Sequence, residues 1–232
     1  MKTYEEKKRD LYEKMKEYTK EDICIAFSGG VDSSLLLMLA KECMKQQKKA
    51  GNIHAVTFHT VLHPPCDLEI AQKVAKEAGA VHKVVFVNEL EQEEIRFNPK
   101  DRCYLCKKTL FQKLLEYAKS QGISVVMEGT NEDDLHVYRP GLRAIKELGV
   151  FSPLAEAGFT KEEVRKLAEE LSVSVASRPS TPCLATRLPY GTEIKTEALQ
   201  KRGFQYITLD IQGFRSGSMD EFRNEKLSRK NT

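Results

Sequence analysis

The chain has no strong charge bias, no long apolar run and no low-complexity tract. Its 37 basic residues nearly balance 34 acidic ones, with a net charge of +3 at pH 7, so the composition does not indicate a broad basic surface for nucleic acid. Apolar runs reach only about six residues, far fewer than are needed to span a bilayer. The charged segment Met1–Glu6 lacks the apolar core of a signal peptide. We therefore expect a cytoplasmic protein that binds neither membranes nor nucleic acid.

The six cysteines occur in a long chain without an export signal, so cytosolic chemistry or metal binding is expected rather than disulfides. Cys24 within an apolar strand and Cys43 on a helix are expected to be inert packing residues. The five histidines show no spacing typical of a metal site or a catalytic triad. A length of 232 residues suits one domain with a small appendage, predicted at 1–189 and 190–232.

Short apolar runs alternate with helix-forming stretches along most of the chain. Strands are predicted at 23–27, 53–58, 84–87, 123–127 and 173–175. Helices are predicted at 4–20, 32–47, 67–78 (capped by Asp67), 104–119 and 160–171 (capped by Thr160). The unbroken apolar run Val84–Val87 is typical of a strand buried on both faces. The alternation predicts an α/β fold with a doubly wound parallel sheet, whose ligands bind beyond the carboxyl ends of the strands.

Two glycines follow the first predicted strand, in the segment Ser28-Gly29-Gly30-Val31-Asp32-Ser33-Ser34. Glycines let the backbone turn tightly and approach an anion, and the following helix directs its unpaired amides and positive dipole end to the same place. No Gly-Lys-Ser/Thr follows, so this is not a Walker A loop. It resembles the PP-loop of the ATP pyrophosphatase superfamily, which implies cleavage of ATP between its α- and β-phosphates and transfer of AMP. A glycine-rich turn without a ligand is the alternative.

Two further blocks suggest chemistry. The acid-rich turn Glu128–Asp134 follows the fourth predicted strand and would suit Mg²⁺ or a ribose, with Arg139 and Arg143 available for phosphates. A capped turn with a solvated acidic face explains that segment equally well. In the block Arg178–Glu193, prolines keep the loop around Cys183 extended, and flanking arginines favour the reactive thiolate.

Together these blocks resemble the LarE family of ATP-dependent sulfur transferases. The resemblance rests on the phosphate loop and on GTNEDDLHVYRPGLRA, FSPLAEAGFTKEEVRKLAEEL, RPSTPCLATRLPYGTEI and TLDIQGFRSGSMDE, within residues 20–220. It implies a step in making the nickel-pincer nucleotide cofactor. A carboxylate of pyridinium-3,5-dicarboxylate mononucleotide is adenylated, pyrophosphate leaves, and sulfur then displaces AMP to give a thiocarboxylate. Adenylation suits this chemistry because a free carboxylate resists nucleophiles, whereas an acyl phosphate has a stabilised leaving group.

The source of the sulfur distinguishes two forms of that family. In one form, the cysteine matching Cys183 gives up its own sulfur and becomes dehydroalanine. In the other, three cysteines hold an iron–sulfur cluster. Here Cys103 and Cys106 form a Cys-x-x-Cys at the start of a predicted helix. With Cys183 they would leave the fourth iron of a 4Fe–4S cluster open for hydrosulfide from a sulfide donor. A zinc half-site, a redox pair or two incidental cysteines remain alternatives, and Cys66 is either a spare ligand or part of a loop.

The resemblance also implies roles for individual residues. Catalysis falls to Cys183 and Asp32, with Arg187 and Glu193 positioning the substrate. The β- and γ-phosphates of ATP, with Mg²⁺, would be held by Ser28, Gly29, Gly30, Asp32, Ser33 and Ser34. Thr57 and Phe58 would border the adenine, and Gly129 would lie within reach of the nucleotide. Arg215 would bind the phosphate of the substrate. The cluster ligands would be Cys103, Cys106 and Cys183.

One departure from the family pattern concerns the C-terminal part. Family members usually carry a longer stretch with an arginine- and histidine-rich strand after Gly-Thr-Glu-Ile, whereas here Ile194 is followed almost directly by Gly203. The segment 190–232 is too small for a core of its own, so we expect it to pack on the main domain or on a second subunit of a homo-oligomer. The reaction class is therefore better supported than the substrate. A cluster-dependent tRNA thiolation enzyme and a non-catalytic nucleotide- or metal-binding relic are the alternative functions.

Overall fold

A four-stranded parallel sheet forms the centre of the protein. The computed structural model describes residues 2–48, 51–63 and 66–194. The strands lie in the order β3-β2-β1-β4, with β1 at Ile23–Ala26, β2 at Ile53–Thr60, β3 at Val81–Val87 and β4 at Val125–Met127. Both neighbours of β1 run parallel to it, with Ile23 opposite Ile53 on one side and Val125 on the other. The predicted α/β fold with a parallel sheet is confirmed.

Helices connect the strands and cover both faces of the sheet. Their bounds are α1 Tyr4–Tyr18, α2 Val31–Gln46, α3 Cys66–Ala78, α4 Glu93–Arg96, α5 Arg102–Ser120, α6 Glu132–Leu135, α7 Gly141–Glu147, α8 Pro153–Glu156 and α9 Lys161–Glu170. Two 3₁₀ turns, Glu89–Glu91 and Leu184–Arg187, lie in the connections. Thr160 caps α9 as predicted, because its hydroxyl accepts from the amide of Glu163 in a reciprocal capping box.

The alternation of side chains along β1 divides the core into two layers. Ile23 and Ile25 are fully buried on the face covered by α1, α2 and α9, where Phe159 also packs. Cys24 points to the other face and packs with Phe111 and Leu114 of α5. Because neighbouring residues of a strand point to opposite faces, one short apolar strand supplies both layers.

Three local predictions were wrong. The run Val84–Val87 is not buried on both faces: β3 is an edge strand, and Phe86 is 74% exposed. Residues 173–175 form turns rather than a strand. The two valines there are buried because they pack beside α9. Asp67 does not cap its helix, since α3 begins at Cys66 and the Asp67 carboxylate instead pairs with Arg178 at 2.5 Å.

The predicted boundary at 189/190 falls near the end of the described chain. Residues 195–232, and with them Arg215, lie outside the described residues. Among the helices of the described ranges, none has both the length and the apolar character to cross a bilayer.

Candidate active site

The phosphate loop lies at the carboxyl end of β1 and leads into α2. Gly30 is the N-cap of α2, with extended backbone and no side-chain cap, so the first amides of the helix remain available to a ligand. Gly29 has a positive φ of 72°. A Cβ there would lie 3.0 Å from the backbone N and Cα of Ala71 on α3. Glycine is required at this position both for the turn and for the close packing of α3.

The side chains of Ser28 and Ser33 form hydrogen bonds with other residues of the phosphate loop. Ser28 Oγ lies 3.2 Å from Ser33 Oγ, and Ser33 Oγ donates to the carbonyl of Gly30 at 3.2 Å. The amide of Gly30 donates back to Ser28 Oγ at 3.3 Å. Ser34 differs, because its hydroxyl is fully buried and has no hydrogen-bond partner among the described residues. The loop is therefore stabilised by hydrogen bonds between its own residues, and the hydroxyl of Ser34 takes no part in them.

Asp32 links the loop to the far side of the site. Its Oδ1 accepts from the side-chain amide of Asn131 at 3.1 Å, and its Oδ2 forms an ion pair with Lys161 at the start of α9. Gly129 lies directly against this helical turn, since a Cβ there would be 3.0 Å from both Asp32 Cβ and the Ser33 amide nitrogen. The end of β4 thus borders the loop, as the sequence predicted for the edge of a parallel sheet.

The acid-rich turn after β4 is extensively paired. Glu128 accepts from Ser152 Oγ at 2.6 Å and from the Thr130 amide at 3.0 Å, and it pairs with Lys107 at 3.3 Å. Burial raises the pKa of the Glu128 carboxyl, but Lys107 and these hydrogen bonds outweigh burial and hold it below its usual value. Asp134 completes a capping box on α6. These contacts favour the interpretation of a capped turn.

The two arginines considered for phosphates contact neighbouring side chains. Arg139 pairs with Asp134 at 2.8 Å. Arg143 lies over the ring of Tyr104, with its Cζ 3.5 Å from the ring centroid, and it also pairs with Glu147 at 3.5 Å. Both are therefore engaged on the surface beside α5 and α6.

The residues proposed for adenine lie near the carboxyl end of β2. Thr57 is buried, and its hydroxyl donates to the carbonyl of Phe27 at 2.8 Å and contacts His82 Nε2 at 2.8 Å. The half-buried Phe58 packs against the core layer that contains α5. Thr57 thus ties β2 to the strand end that precedes the phosphate loop.

The three cysteines of interest come together from separate parts of the chain. Cys103 is exposed in the first turn of α5, and Cys106 lies one turn further on. Cys183 is half-buried just before the 3₁₀ turn at Leu184–Arg187. Burial raises the pKa of Cys106 and of Cys183, and electrostatic interactions among the three thiols raise both further. The start of α5 and the Cys183 loop are neighbours through the contacts of Asn98 and Arg102.

Arg102 and Asn98 join the Cys183 loop to the Cys-x-x-Cys helix. The buried guanidinium of Arg102 donates to Asn98 Oδ1, and its Nη2 lies 3.4 Å from Cys103 Sγ. Asn98 Nδ2 donates to the carbonyls of Leu188 and Pro189 at 3.0 and 2.9 Å. The charge of Arg102 opposes the rise in the pKa of Cys183, since it favours the thiolate.

The remaining substrate-positioning candidates lie beyond Cys183. Arg187 is exposed at the end of the 3₁₀ turn, while Glu193 is half-buried beside Ile194. The amide of Ile194 donates to the carbonyl of Arg96 at 2.7 Å, which holds this end of the loop against α4.

The spacing of the thiols bears on which metal group they suit. In the described chain, no three or more His, Cys, Asp or Glu side chains are placed to hold a single metal ion. A 4Fe–4S cluster binds each cysteine through a different iron, so its ligands lie farther apart than those of one ion. Three neighbouring thiols beside a buried cation fit that larger group as a donor set.

One short segment joins the two parts of the site. Arg165 on α9 donates to the carbonyls of Ala176 and Arg178 at 2.6 and 3.0 Å, while Arg178 reaches the carbonyl of Gly29 at 3.5 Å. Six residues after Arg178, the amide of Leu184 beside Cys183 donates to the carbonyl of Leu62 at 2.9 Å. At ~3.6 Å per residue, the Cα atoms of Arg178 and Cys183 are at most ~18 Å apart.

Three residues near these sites were not predicted from the sequence: Lys161, Arg102 and Glu89. Each comes from a segment whose pattern is that of an ordinary helix end or turn. Asn131, in contrast, lies within the acid-rich block that the sequence singled out. Only the charged residue next to Cys103 could have been noticed, because an arginine beside a Cys-x-x-Cys favours thiolates.

Comparison with known proteins identifies the family. The PP-loop domain family matches residues 3–137. An uncharacterized protein of Synechocystis sp. is 40% identical over 190 residues, which cover 82% of this chain and 69% of that protein. The solved structure of NMN synthetase from Francisella tularensis superposes with a TM-score of 0.60 and 15% identity, covering 91% of each chain, and supports the fold.

A third relative has an assigned reaction. Pyridinium-3,5-bisthiocarboxylic acid mononucleotide synthase of Lactiplantibacillus plantarum is 28% identical and covers 95% of this chain and 96% of that protein. The match spans 271 positions, more than the 232 residues here, so the relative carries extra residues within it. This match confirms the predicted likeness to the LarE family and, with the domain match, supports an ATP-using, adenylating sulfurtransferase. The chain belongs to the PP-loop family.

Proposed function

We propose that this protein adenylates a carboxylate of a pyridinium dicarboxylate mononucleotide and replaces one oxygen with sulfur. The observation that carries the proposal is the placement of a phosphate loop and three neighbouring thiols at one edge of the sheet, joined by the segment 178–183. The relative from Lactiplantibacillus plantarum makes a bisthiocarboxylic acid mononucleotide, which indicates the substrate class.

ATP would bind with its β- and γ-phosphates in the loop. The free amides after Gly30 and the N-terminus of the 16-residue α2 attract the phosphates. The unpartnered hydroxyl of Ser34 is a further donor. Asp32 would hold the accompanying Mg²⁺, since one carboxylate together with phosphates and water satisfies magnesium. Lys161, which pairs with Asp32, supplies positive charge at the same place.

The first half-reaction is an attack by a substrate carboxylate oxygen on the α-phosphorus. The bond from the α-phosphorus to the oxygen that bridges it to the β-phosphorus breaks. Pyrophosphate, held by the loop, is the leaving group. In the second half-reaction, a sulfur nucleophile adds to the acyl carbon, and the C–O bond to AMP breaks. AMP leaves with the bonding electrons, and the product is a thiocarboxylate.

Cys103, Cys106 and Cys183 would hold a 4Fe–4S cluster, which when bound supplies an open iron that carries hydrosulfide. Arg102 stabilises the thiolates that ligation requires, because its buried charge lies beside them. Arg187 and Glu193 would orient the substrate next to Cys183. The role of Arg215 in binding the substrate phosphate is proposed from the resemblance alone.

The test separates the two half-reactions. Protein purified and reconstituted without oxygen is given ATP, Mg²⁺, sulfide and the pyridinium dicarboxylate mononucleotide, and AMP and thiocarboxylate are measured by mass spectrometry. We expect both products from the wild type. Cys183→Ala should keep AMP formation and lose the thiocarboxylate, while the core variant Cys43→Ala retains both.

Other outcomes would contradict the proposal. Thiocarboxylate formation unchanged in Cys183→Ala would remove the cysteine from sulfur delivery. A single turnover in which the protein loses one H₂S would show that Cys183 itself is consumed. AMP formation with unmodified tRNA but not with the mononucleotide would favour tRNA thiolation, and no AMP with either would favour a relic.

A further inference from the structure

Glu89 is a buried carboxylate that the proposed reaction does not use. It begins the 3₁₀ turn that follows β3, and its side chain is only 1% exposed. Neither Oε1 nor Oε2 has a partner of hydrogen-bond geometry among the described residues. Burial raises the pKa of the carboxyl, and the polar groups of Thr60 and Val61 lie near enough to oppose that rise. A buried acid without a partner is strongly destabilising, so this position favours an added ligand.

The surroundings of Glu89 indicate the class of that ligand. Leu90, the next residue, packs in one small apolar cluster with Ala185 and Leu188, and Cys183 lies against that cluster. In keeping with that placement, the charge of Glu89 raises the pKa of both Cys106 and Cys183. The buried cation in this part of the chain is Arg102, whose guanidinium donates to Asn98 and Cys103 rather than to Glu89. One carboxylate and three thiols beside one guanidinium form a donor set that has excess negative charge once its protons are lost. Such a set binds a cationic metal group.

We propose that Glu89 is the fourth ligand of the iron–sulfur cluster in the resting enzyme. The inference rests on the proposed function, because the cluster is part of it. A carboxylate oxygen would occupy the iron that Cys103, Cys106 and Cys183 leave open. Hydrosulfide then takes its place by ligand exchange: the Fe–O bond breaks, an Fe–S bond forms, and no electron is gained or lost.

A glutamate is a suitable ligand where hydrosulfide has to displace it from the iron. Iron–sulfur clusters favour thiolates, whereas carboxylates are harder and exchange more readily on such iron. A fourth cysteine would close the site to hydrosulfide, and an apolar residue would leave it to water. Glu89 holds the position until the sulfur donor arrives.

The test uses the full chain in three forms: wild type, Glu89→Gln and Glu91→Gln. Glutamine keeps the shape of the side chain and removes its charge. Glu91 lies in the same 3₁₀ turn but is exposed, so its variant is the matched control. After anaerobic reconstitution, the reduced cluster is examined by electron–nuclear double resonance in ¹⁷O-labelled water. Hydrosulfide is then titrated against the electron paramagnetic resonance signal.

We expect no ¹⁷O coupling in the wild type or in Glu91→Gln, because the carboxylate excludes water from the iron. Glu89→Gln should show the coupling and bind hydrosulfide about tenfold more tightly, since no ligand has to be displaced. The wild-type spectrum decides the question even where the variant does not fold.

Water coupling in the wild type would overturn the inference. So would equal hydrosulfide affinity in all three forms, or a wild type that takes up no iron. ATP-to-AMP conversion measured on the same samples tests the adenylation step separately, so loss of the inference and loss of the proposed function are distinguishable.

Discussion

The phosphate loop and the cysteine site share one edge of the sheet but are built in different ways. The loop comes from one continuous segment whose serines bind each other, and one neutral hydroxyl is its unpartnered polar group. The cysteine site draws on three separate segments around residues 89, 102–106 and 183 and contains an unpartnered carboxylate. A buried hydroxyl without a partner is destabilising by about 1–3 kcal/mol, and a charged group by more.

The difference indicates when each site is complete. Because the loop is held by its own hydrogen bonds, we expect its shape to depend little on a bound ligand. The cysteine site gathers negative charge that a bound metal group would balance, so its order depends on loading.

The largest effect is expected from Gly29→Ala. The left-handed conformation disfavours alanine by roughly 1–2 kcal/mol, and the new Cβ meets Ala71 at 3.0 Å. Gly79→Ala is the control, because Gly79 has a similar φ of 71° and nothing within 4 Å of its Cβ position. AMP formation should fall on the order of 100-fold in Gly29→Ala alone. Urea unfolding should show about 1–3 kcal/mol more destabilisation than in the control. Equal losses in both variants would show that close packing against α3 is unimportant.

Removal or addition of each ligand should affect one site and not the other. Iron loading should slow hydrogen exchange of the amides near 89–106 and 183–194, whereas ATP should protect residues 28–34. A ligand present at about 100 times its Kd stabilises the folded state by about 2.7 kcal/mol. Exchange is measured by mass spectrometry on apo, iron-loaded and ATP-bound protein. Equal protection of both regions by either ligand would contradict the contrast.

The reactivity of the thiols should follow their burial and the charge of Arg102. Because the pKa of Cys106 and of Cys183 is raised, less thiolate forms near pH 8, and alkylation should keep accelerating above the usual thiol pKa of about 8.5. In Arg102→Gln the apo protein should react about three- to tenfold more slowly at these two cysteines, since a favourable charge is lost.

The core cysteines are internal controls in the same experiment. Burial raises the pKa of Cys24 to about 12 and of Cys43 to about 11, so both should stay unmodified while the protein is folded. Alkylation is followed by mass spectrometry against pH. An unchanged rate in Arg102→Gln would exclude an electrostatic role for the guanidinium.

The smallest effect is expected from Thr160→Ala, which removes the cap of α9. Loss of an N-cap hydroxyl is destabilising by about 1 kcal/mol. Thr3→Ala is the matched control, because Thr3 forms the same capping box on α1, a helix that does not carry Lys161. Both should unfold at similarly lower urea concentrations. Only Thr160→Ala should weaken ATP binding, by about two- to threefold, because the next residue, Lys161, pairs with Asp32.

Local patterns predicted the parts of the site that are local. Two glycines after an apolar strand led to the phosphate loop, and Thr160 was recognised as a cap from its own neighbours. Lys161 escaped notice because its partner Asp32 lies 129 residues away along the chain. Glu89 was likewise not predicted, because nothing in the sequence around it distinguishes it from an ordinary acidic residue in a turn.

The wrong predictions have a common physical cause. A strand pattern is present at Val173 and Val175 and in the run Val84–Val87. However, an apolar residue indicates only burial or β-propensity and does not show which elements surround it in the fold. Val173 is buried by α9 and not by a sheet, while Phe86 lies on an exposed edge. Sheet order is a property of the whole chain.

The anchoring of residues 178–183 has a consequence for the efficiency of the enzyme. An acyl adenylate hydrolyses if sulfur does not reach it promptly, and each such loss consumes ATP without product. The segment is fixed by Arg165 and Gly29 at one end and by Leu62 at the other. We expect its short span to limit the time that an intermediate waits for sulfur. A few glycines inserted there should leave AMP formation intact and lower the yield of thiocarboxylate per AMP. We therefore expect the length of this connection to set how much thiocarboxylate forms per ATP consumed.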